Sequence, residues 1–263
     1  KTLPGLKLPA VWLPHTVFGI SNAGVVEDTT GGKFGPFAGQ LFLGDQGQSK
    51  IMRISLEQVK GVWQGAVYAF REGFDSGIIR LAFGEDGALF AGETARGWGS
   101  VGPKQQGAER LTWTGKVPFE VKEVKAQPDG FVLTFTQPVD RITAENPASY
   151  SVAGFTYLYH KAYGSAPVDR MNCPVQKVVV APDGLSVRLA NVCLREGYVH
   201  EIKVAGVRAA ATGGEGILHP TLYYTLNKIP DGNRIIPVDP RTAELCIAPV
   251  PAVAAAFSKK HPS

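Results

Sequence analysis

Histidines at positions 15, 160, 200, 219 and 261 are the side chains in this 263-residue chain best suited to proton transfer or metal ligation. No two of them form an HxH, HExxH or HxxxH pattern, so the sequence shows no metal-ligand spacing. His15 follows Val11-Trp-Leu-Pro14 in an irregular segment and is a candidate catalytic residue, whereas His200 sits in the alternating run Tyr198-Val-His-Glu-Ile202, where a cross-strand contact accounts for it. Arg96 and Trp98, set among Gly97 and Gly99, offer a guanidinium and an indole to an anionic or planar ligand. The competing role for Trp98 is to plug a gap between sheets. Gly97-Trp-Gly-Ser-Val-Gly102 matches a bare GxGxxG, but a Pro-Lys-Gln-Gln loop follows it where a dinucleotide site needs a helix. No GxSxG or P-loop occurs, and nicotinamide chemistry is disfavoured. Phe155, Tyr157, Tyr159 and Tyr163 alternate along one strand face; they suit a sugar platform, a sandwich core or a protein interface.

The cysteines stand at 173, 193 and 246, with no CxxC and no CxxCH, which excludes a zinc ribbon and a c-type haem attachment. Pro182-Asp-Gly184 separates two alternating runs and reads as a hairpin turn. Cys173 and Cys193 are equidistant from Asp183, so an antiparallel ladder places them opposite one another, as a disulfide or as two unpaired thiols. A disulfide would imply an oxidising compartment. Cys246 reads as a small buried apolar side chain.

The elements that must position these residues are strands. Apolar residues make up 44% of the chain and charged ones 19%, with 31 glycines and 19 prolines, a composition that fits a packed globular protein with many tight turns. Alternating or short apolar runs predict strands over 19–27, 40–44, 50–57, 63–71, 78–84, 88–93 and 109–113. A second set follows over 120–126, 131–136, 149–152, 155–163, 175–181, 186–192, 199–204 and 222–227. The prediction is an all-β protein, with one unit over residues 1–117, a β-sandwich of immunoglobulin-like size over 118–227, and an irregular Pro-rich tail over 228–263. Net charge is +4 without a polybasic patch, which argues against nucleic acid. The apolar run 245–257 contains Pro249 and Pro251 and cannot span a bilayer as a helix, though the tail offers a peripheral membrane contact. The sequence opens on Lys1, as a processed form or a piece of a longer chain would.

Gly35-Pro-Phe-Ala-Gly-Gln-Leu-Phe-Leu-Gly-Asp45, Lys50-Ile-Met-Arg-Ile54, Phe70-Arg-Glu-Gly-Phe74 and Ile79-Arg-Leu-Ala-Phe-Gly-Glu-Asp-Gly-Ala-Leu-Phe-Ala-Gly92 resemble the closing blades of bacterial glucose/sorbosone dehydrogenase-like β-propellers. Arg96-Gly-Trp-Gly99, Arg110–Phe119 and Asp129–Val139 are similar to the passage from propeller to Ig-like domain in those envelope proteins. The resemblance covers roughly residues 10 to 230 and implies a periplasmic or otherwise extracytoplasmic setting, possession of propeller blades, and, in some members, pyrroloquinoline quinone (PQQ) with a histidine as general base, a role that would fall to His15. This chain departs from the pattern: it has no haem-attachment motif, and its first unit holds strands for about two blades of four, too few to close a ring.

The expectation that follows is a non-catalytic accessory or binding subunit, without a cofactor of its own, docking onto other protein subunits of an envelope complex such as a membrane electron-transfer assembly. Unpaired blade edges would need such a cover. The alternatives are a fragment of a PQQ-dependent sugar dehydrogenase, with His15 and Arg96 in its site and Trp98 against the cofactor, and a carbohydrate-binding module using the aromatic strand.

Overall fold

The computed structural model describes residues 7–161, 164–191, 193–211 and 214–237. In the first half the chain runs through β1 (Asn22–Glu27), β2 (Leu41–Asp45), β3 (Lys50–Val59) and β4 (Val62–Glu72), an antiparallel meander, and then β5 (Ile78–Phe83), β6 (Leu89–Thr94) and β7 (Gln106–Leu111), a second one. All of these match predicted strands, because each carries its own turn chemistry and alternation. The second half contains β8 (Val121–Gln127), β9 (Gly130–Phe135), the short helix α1 (Arg141–Glu145), β10 (Ser151–Thr156), β11 (Val168–Asn172), β12 (Val175–Val180), β13 (Ser186–Asn191), β14 (Tyr198–Lys203) and β15 (Thr221–Leu226). The fold is all-β, and its antiparallel sheets are open.

One eight-stranded sheet, ordered β1-β2-β3-β4-β15-β14-β10-β11, runs through the molecule. Its central joint is the β4–β15 pair, with Tyr68 opposite Leu222 and Gly65 opposite Thr225. The sheet therefore crosses residue 117, where the sequence suggested a division between units. On its other side β4 presses against β3 at Gly65, where a β-carbon would lie 2.1 Å from the Ser55 carbonyl oxygen.

Two smaller sheets cover the same face of the long one. The three-stranded β5-β6-β7 sheet closes a phenylalanine-rich core of Phe34, Phe37, Phe42, Phe74, Ile78 and Leu89. The four-stranded β12-β13-β9-β8 sheet closes a larger core around Val124, Phe131, Leu133, Leu189, Ile202 and Tyr224. On the opposite face, Trp12, Leu13 and Phe18 cover Met52, Val67, Phe155 and Tyr223. β1 meets β5 at Gly24, which has φ +66° and where a β-carbon would stand 2.9 Å from the Ile79 carbonyl oxygen. Glycine answers both demands at that crossing.

Arg53 occupies the seam between the two cores. Its guanidinium lies 4.0 Å from the ring centroids of both Phe37 and Tyr68. It donates to Gln40 Oε1 and the Lys122 carbonyl, each at 2.9 Å, and to the Val121 carbonyl. Gln40 Nε2 donates to the same Lys122 carbonyl at 2.6 Å, and Glu57 Oε1 accepts from the Ala126 amide at 2.7 Å. Side chains of the long sheet thus satisfy the outer edge of β8. Burial lowers the Arg53 pKa to about 10, which still leaves the side chain charged at neutral pH.

Several expectations change. The predicted strand 155–163 leaves the ladder after Thr156, and β11, absent from the prediction, pairs with β10 through a bulge. Its sequence, Val-Asp-Arg-Met-Asn, has too little apolar alternation to announce a strand. The Cys173–Cys193 disulfide does not form: Cys173 is a free, fully buried thiol. The register did bring the two together, since Val175 pairs with Asn191 and Cys173 Sγ donates to the Cys193 carbonyl at 3.5 Å. Cys193, however, takes φ +76° just past the end of β13. It is itself disulfide-bonded, while Cys173 is not. Burial pushes the Cys173 thiol up to about 12, so it remains protonated. Cys246 lies outside the described residues, as does most of the predicted tail. The described start of the tail docks, with Ile236 buried and Arg188 donating to the Asn233 carbonyl at 2.6 Å.

His200 is a core residue, 5.4 Å from the Phe131 ring, with neither ring nitrogen hydrogen-bonded. Burial holds its pKa down to about 3, against a weak opposing backbone contact at Tyr198. The unfolded chain therefore takes up a proton between pH 6.5 and 3 that the folded chain refuses, and stability falls as pH drops through that window. Replacing His200 with leucine should raise stability by about 1–2 kcal/mol at neutral pH by removing unpaired polar atoms. It should also flatten the acid loss. Urea unfolding at neutral and mildly acidic pH measures both, and a destabilised variant would show that the imidazole is well satisfied.

Candidate functional site

The sequence-predicted site residues fall in two separate places. His15 lines an open cleft of about 350 Å³ with Trp12, Tyr157, Tyr159 and His160. The Trp12 and Tyr157 rings lie 5.3 Å apart at 49°, and Phe155 meets Tyr157 edge-on at 5.5 Å. Tyr157 Oη is buried without a hydrogen-bond partner, and burial raises its pKa well above the usual phenol value. Tyr159 projects into solvent. The end of the aromatic run thus reaches His15, a conjunction of residues far apart in sequence. Tyr163 lies outside the described residues.

Arg96 and Trp98 line neither this cleft nor the two larger ones. Their loop is fastened over the β2–β3 turn: Gln46 Nε2 donates to the carbonyls of Thr94 at 3.2 Å and of Arg96 and Trp98 at 3.4 Å. The Val101 amide donates to the Gly47 carbonyl at 3.2 Å, and the Gly102 amide to Ser49 Oγ at 3.1 Å. From the other side, Gln48 donates to the Thr16 carbonyl and Lys50 to the Val17 carbonyl. Three loops are thereby gathered at one end of the molecule. They present Trp98, Val101 and Val17 to solvent at 49%, 74% and 47% exposure, beside the guanidinium of Arg96. β7 follows this loop, so the GxGxxG match lacks the helix that phosphate binding needs.

No family model matches the chain. No curated protein matches it either. Among solved structures, the N-terminal part of the bacterial S-layer protein SbsC is 20% identical over 41% of this chain and 24% of that one, with a TM-score of 0.29. Domains 1–6 of the surface layer protein SbsC give 21% identity over 44% of this chain and 14% of that one, with a TM-score of 0.32. The chain spans a quarter or less of either.

A cleft of about 890 Å³ lies beside the end of β7, bounded by residues 70–74, 112–119 and 215–218. Phe34, Phe37, Phe70 and Phe74 line it with Trp113, whose Nε1 donates to the Lys116 carbonyl at 3.2 Å. A neighbouring cleft of about 460 Å³ shares Phe70, Arg71, Glu72 and Leu218 with it but extends over Phe18, Met52 and Tyr223, on the opposite face of the long sheet. Trp113 was not singled out in the sequence, where it reads only as the last residue of the predicted strand 109–113. In the second cleft His219 Nδ1 lies 2.5 Å from Glu120 Oε1, and Glu120 Oε2 accepts from the His219 amide at 3.3 Å. The residues lining that cleft include no serine or cysteine, and the buried Glu120 serves to anchor the 218–220 loop.

Glu93, pushed up to about 7 by burial with Glu109 and Asp75 nearby, lines none of the clefts. Among the described residues no group of three His, Cys, Asp or Glu is placed to hold a metal. No described helix is long and apolar enough to cross a membrane.

Proposed function

We propose that this chain is a non-catalytic binding subunit of an extracytoplasmic assembly, docking onto a larger protein through the loop end that carries Trp98. The observation that carries this reading is the exposed Trp98–Val101–Val17 surface, held in place by the Gln46, Gln48 and Lys50 hydrogen bonds and flanked by Arg96. Exposed tryptophan and arginine on a rigid frame are the side chains that dominate protein interfaces. The disulfide at Cys193 favours a setting outside the cytoplasm, such as the periplasm. The meander order β1–β4 and β5–β7 is compatible with propeller-like blades, and the two layers around Phe131 and Tyr224 with an Ig-like sandwich. The proposed membrane contact of the tail rests on residues outside those described.

A PQQ enzyme is the weaker reading. The cofactor is a tricarboxylate, and the cleft around His15 supplies two imidazoles and no lysine or arginine, while Arg96 and Trp98 stand elsewhere. Those residues do not fit it. The carbohydrate-module alternative has one favourable observation, the Trp12–Tyr157–Tyr159 cleft.

Native mass measurement on the assembly from its source, with identification of every polypeptide, tests the proposal. The wild-type chain should be recovered in a larger particle, and Trp98→Ala should release it as a folded monomer with its melting temperature unchanged. A wild-type chain recovered as a folded monomer would sink the subunit reading. Binding of oligosaccharides that Tyr157→Ala abolishes would replace it with the sugar-binding one.

A further inference from the structure

The loop that carries Trp98 and Val101 rests on a pair of carboxylic acids. Glu93 on β6 faces Gly107 across the ladder to β7, and Ala91 faces Glu109, so the two acidic side chains leave the same face of the sheet. Gly107 makes room for them, since a β-carbon there would lie 2.9 Å from Glu93 Oε2. The carboxyl groups take consecutive amides of the segment before β5: Glu109 Oε1 accepts from Asp75 at 2.8 Å and Glu93 Oε2 from Ser76 at 2.6 Å. Glu93 is buried, and its Oε1 accepts no hydrogen bond.

That segment in turn supports the loop. The Lys104 amide donates to the Asp75 carbonyl at 2.8 Å, and its ammonium pairs with the Asp75 carboxylate at 2.7 Å. Gly102, next to Val101, packs so closely that a β-carbon would stand 2.4 Å from the same carbonyl oxygen. At the loop's other end the Thr94 amide donates to the Gly77 carbonyl at 2.7 Å.

Among the described residues, the charged groups that face Glu93 are Glu109 on β7, Asp75 before β5 and Lys104 before β7. Lys104 is engaged by Asp75, whereas the Glu93 and Glu109 carboxyls lie within hydrogen-bonding reach of each other. Two ionised carboxylates in contact repel, but one proton between them makes a hydrogen bond. Burial, reinforced by Glu109 and Asp75, holds the Glu93 carboxyl up to about 7. The stabilisation that this proton gives the folded segment is complete below about pH 4.5 and is lost as pH rises through 7.

We propose that a single proton shared by Glu93 and Glu109 fastens the loop of Trp98 and Val101, so that the docking surface is firm in mildly acidic surroundings and loosens in alkaline ones. The regulation of docking rests on the reading of that surface as an interface, while the proton lock itself does not.

Hydrogen exchange on the full chain at about pH 5.5 and about pH 8, expressed as protection relative to the intrinsic rate at each pH, tests the lock. Protection of the Ser76, Val101, Gly102 and Lys104 amides should fall by about tenfold or more between the two, and should stay constant in Glu93→Gln, whose amide is neutral throughout. In Glu109→Gln the new amide donates to an ionised Glu93, so the fall should move to lower pH; this variant carries the test where Glu93→Gln does not fold. Equal wild-type protection at both pH values, or a fall that persists unshifted in both variants, overturns the proposal. Native mass at the same two pH values reads the docking. The larger particle should be recovered at about pH 5.5 and depleted at about pH 8, with Glu93→Gln retained in it at both. A monomer at both pH values overturns the docking reading and its regulation together, and a pH-dependent loop in that monomer would still uphold the lock.

Discussion

Replacing Arg53 with methionine should cost the fold about 3–5 kcal/mol, the largest loss expected from any single change considered. The guanidinium is fully buried and serves three acceptors, Gln40 Oε1 and the carbonyls of Val121 and Lys122. Methionine fills much of the slot between the Phe37 and Tyr68 rings but donates nothing. Each buried acceptor left without a donor costs on the order of 1–3 kcal/mol, and relief from burying a charge offsets part of that sum. Lysine should fail almost as badly, because one ammonium cannot span three acceptors while stacking flat between two rings. Urea unfolding of Arg53→Met and Arg53→Lys measures the loss. A change below about 1 kcal/mol for both would mean that the β8 edge finds other partners. Because the residue joins the two cores, hydrogen exchange should rise in both smaller sheets together.

Asp129→Ala should be the next most damaging change, at about 2–4 kcal/mol. The carboxylate is buried in the turn before β9 and accepts from Arg188 at 2.8 Å and from the amides of Ile235 and Ile236 at 2.5 and 3.1 Å. Burial alone would raise its pKa, but the Arg188 hydrogen bond and the two amides together hold it below the usual carboxylate range. The unfolded chain therefore takes up this proton more readily than the folded one. The stabilisation is complete above about pH 4 and is lost as pH falls through the depressed folded value. Acid should thus release residues 233–236 from the sandwich, with exchange of the Ile235 and Ile236 amides rising in the wild type and already high in Asp129→Ala. Equal protection of those amides in both proteins at neutral pH would remove Asp129 from the docking of this segment.

Local sequence determined most of the strands. The turns Glu85-Asp-Gly87, Pro128-Asp-Gly130 and Pro182-Asp-Gly184 each join two alternating runs, and each became the turn of a hairpin, because that information is contained within some twenty residues. The Cys173–Cys193 register was legible for the same reason. The absence of their bond was not, since Cys193 is disulfide-bonded while Cys173 stays a free thiol, and spacing along the chain does not say which sulfurs meet.

Tertiary structure alone decided how the strands were shared out. The β4–β15 pair joins residues more than 150 positions apart, and neither strand carries a mark that names its partner. Arg53 reads in sequence as a charged residue on an alternating strand, and only the meeting of two cores over it buries its cation fully. Trp98 and His15 were visible as candidates from their residue types, and Trp113 was not, because an indole becomes a site only through the walls that face it. Propensity and turn chemistry act over a few residues and can be read along the chain. Edge pairing, seams and clefts depend on which distant surfaces bury each other best, and that is settled only when the whole chain packs.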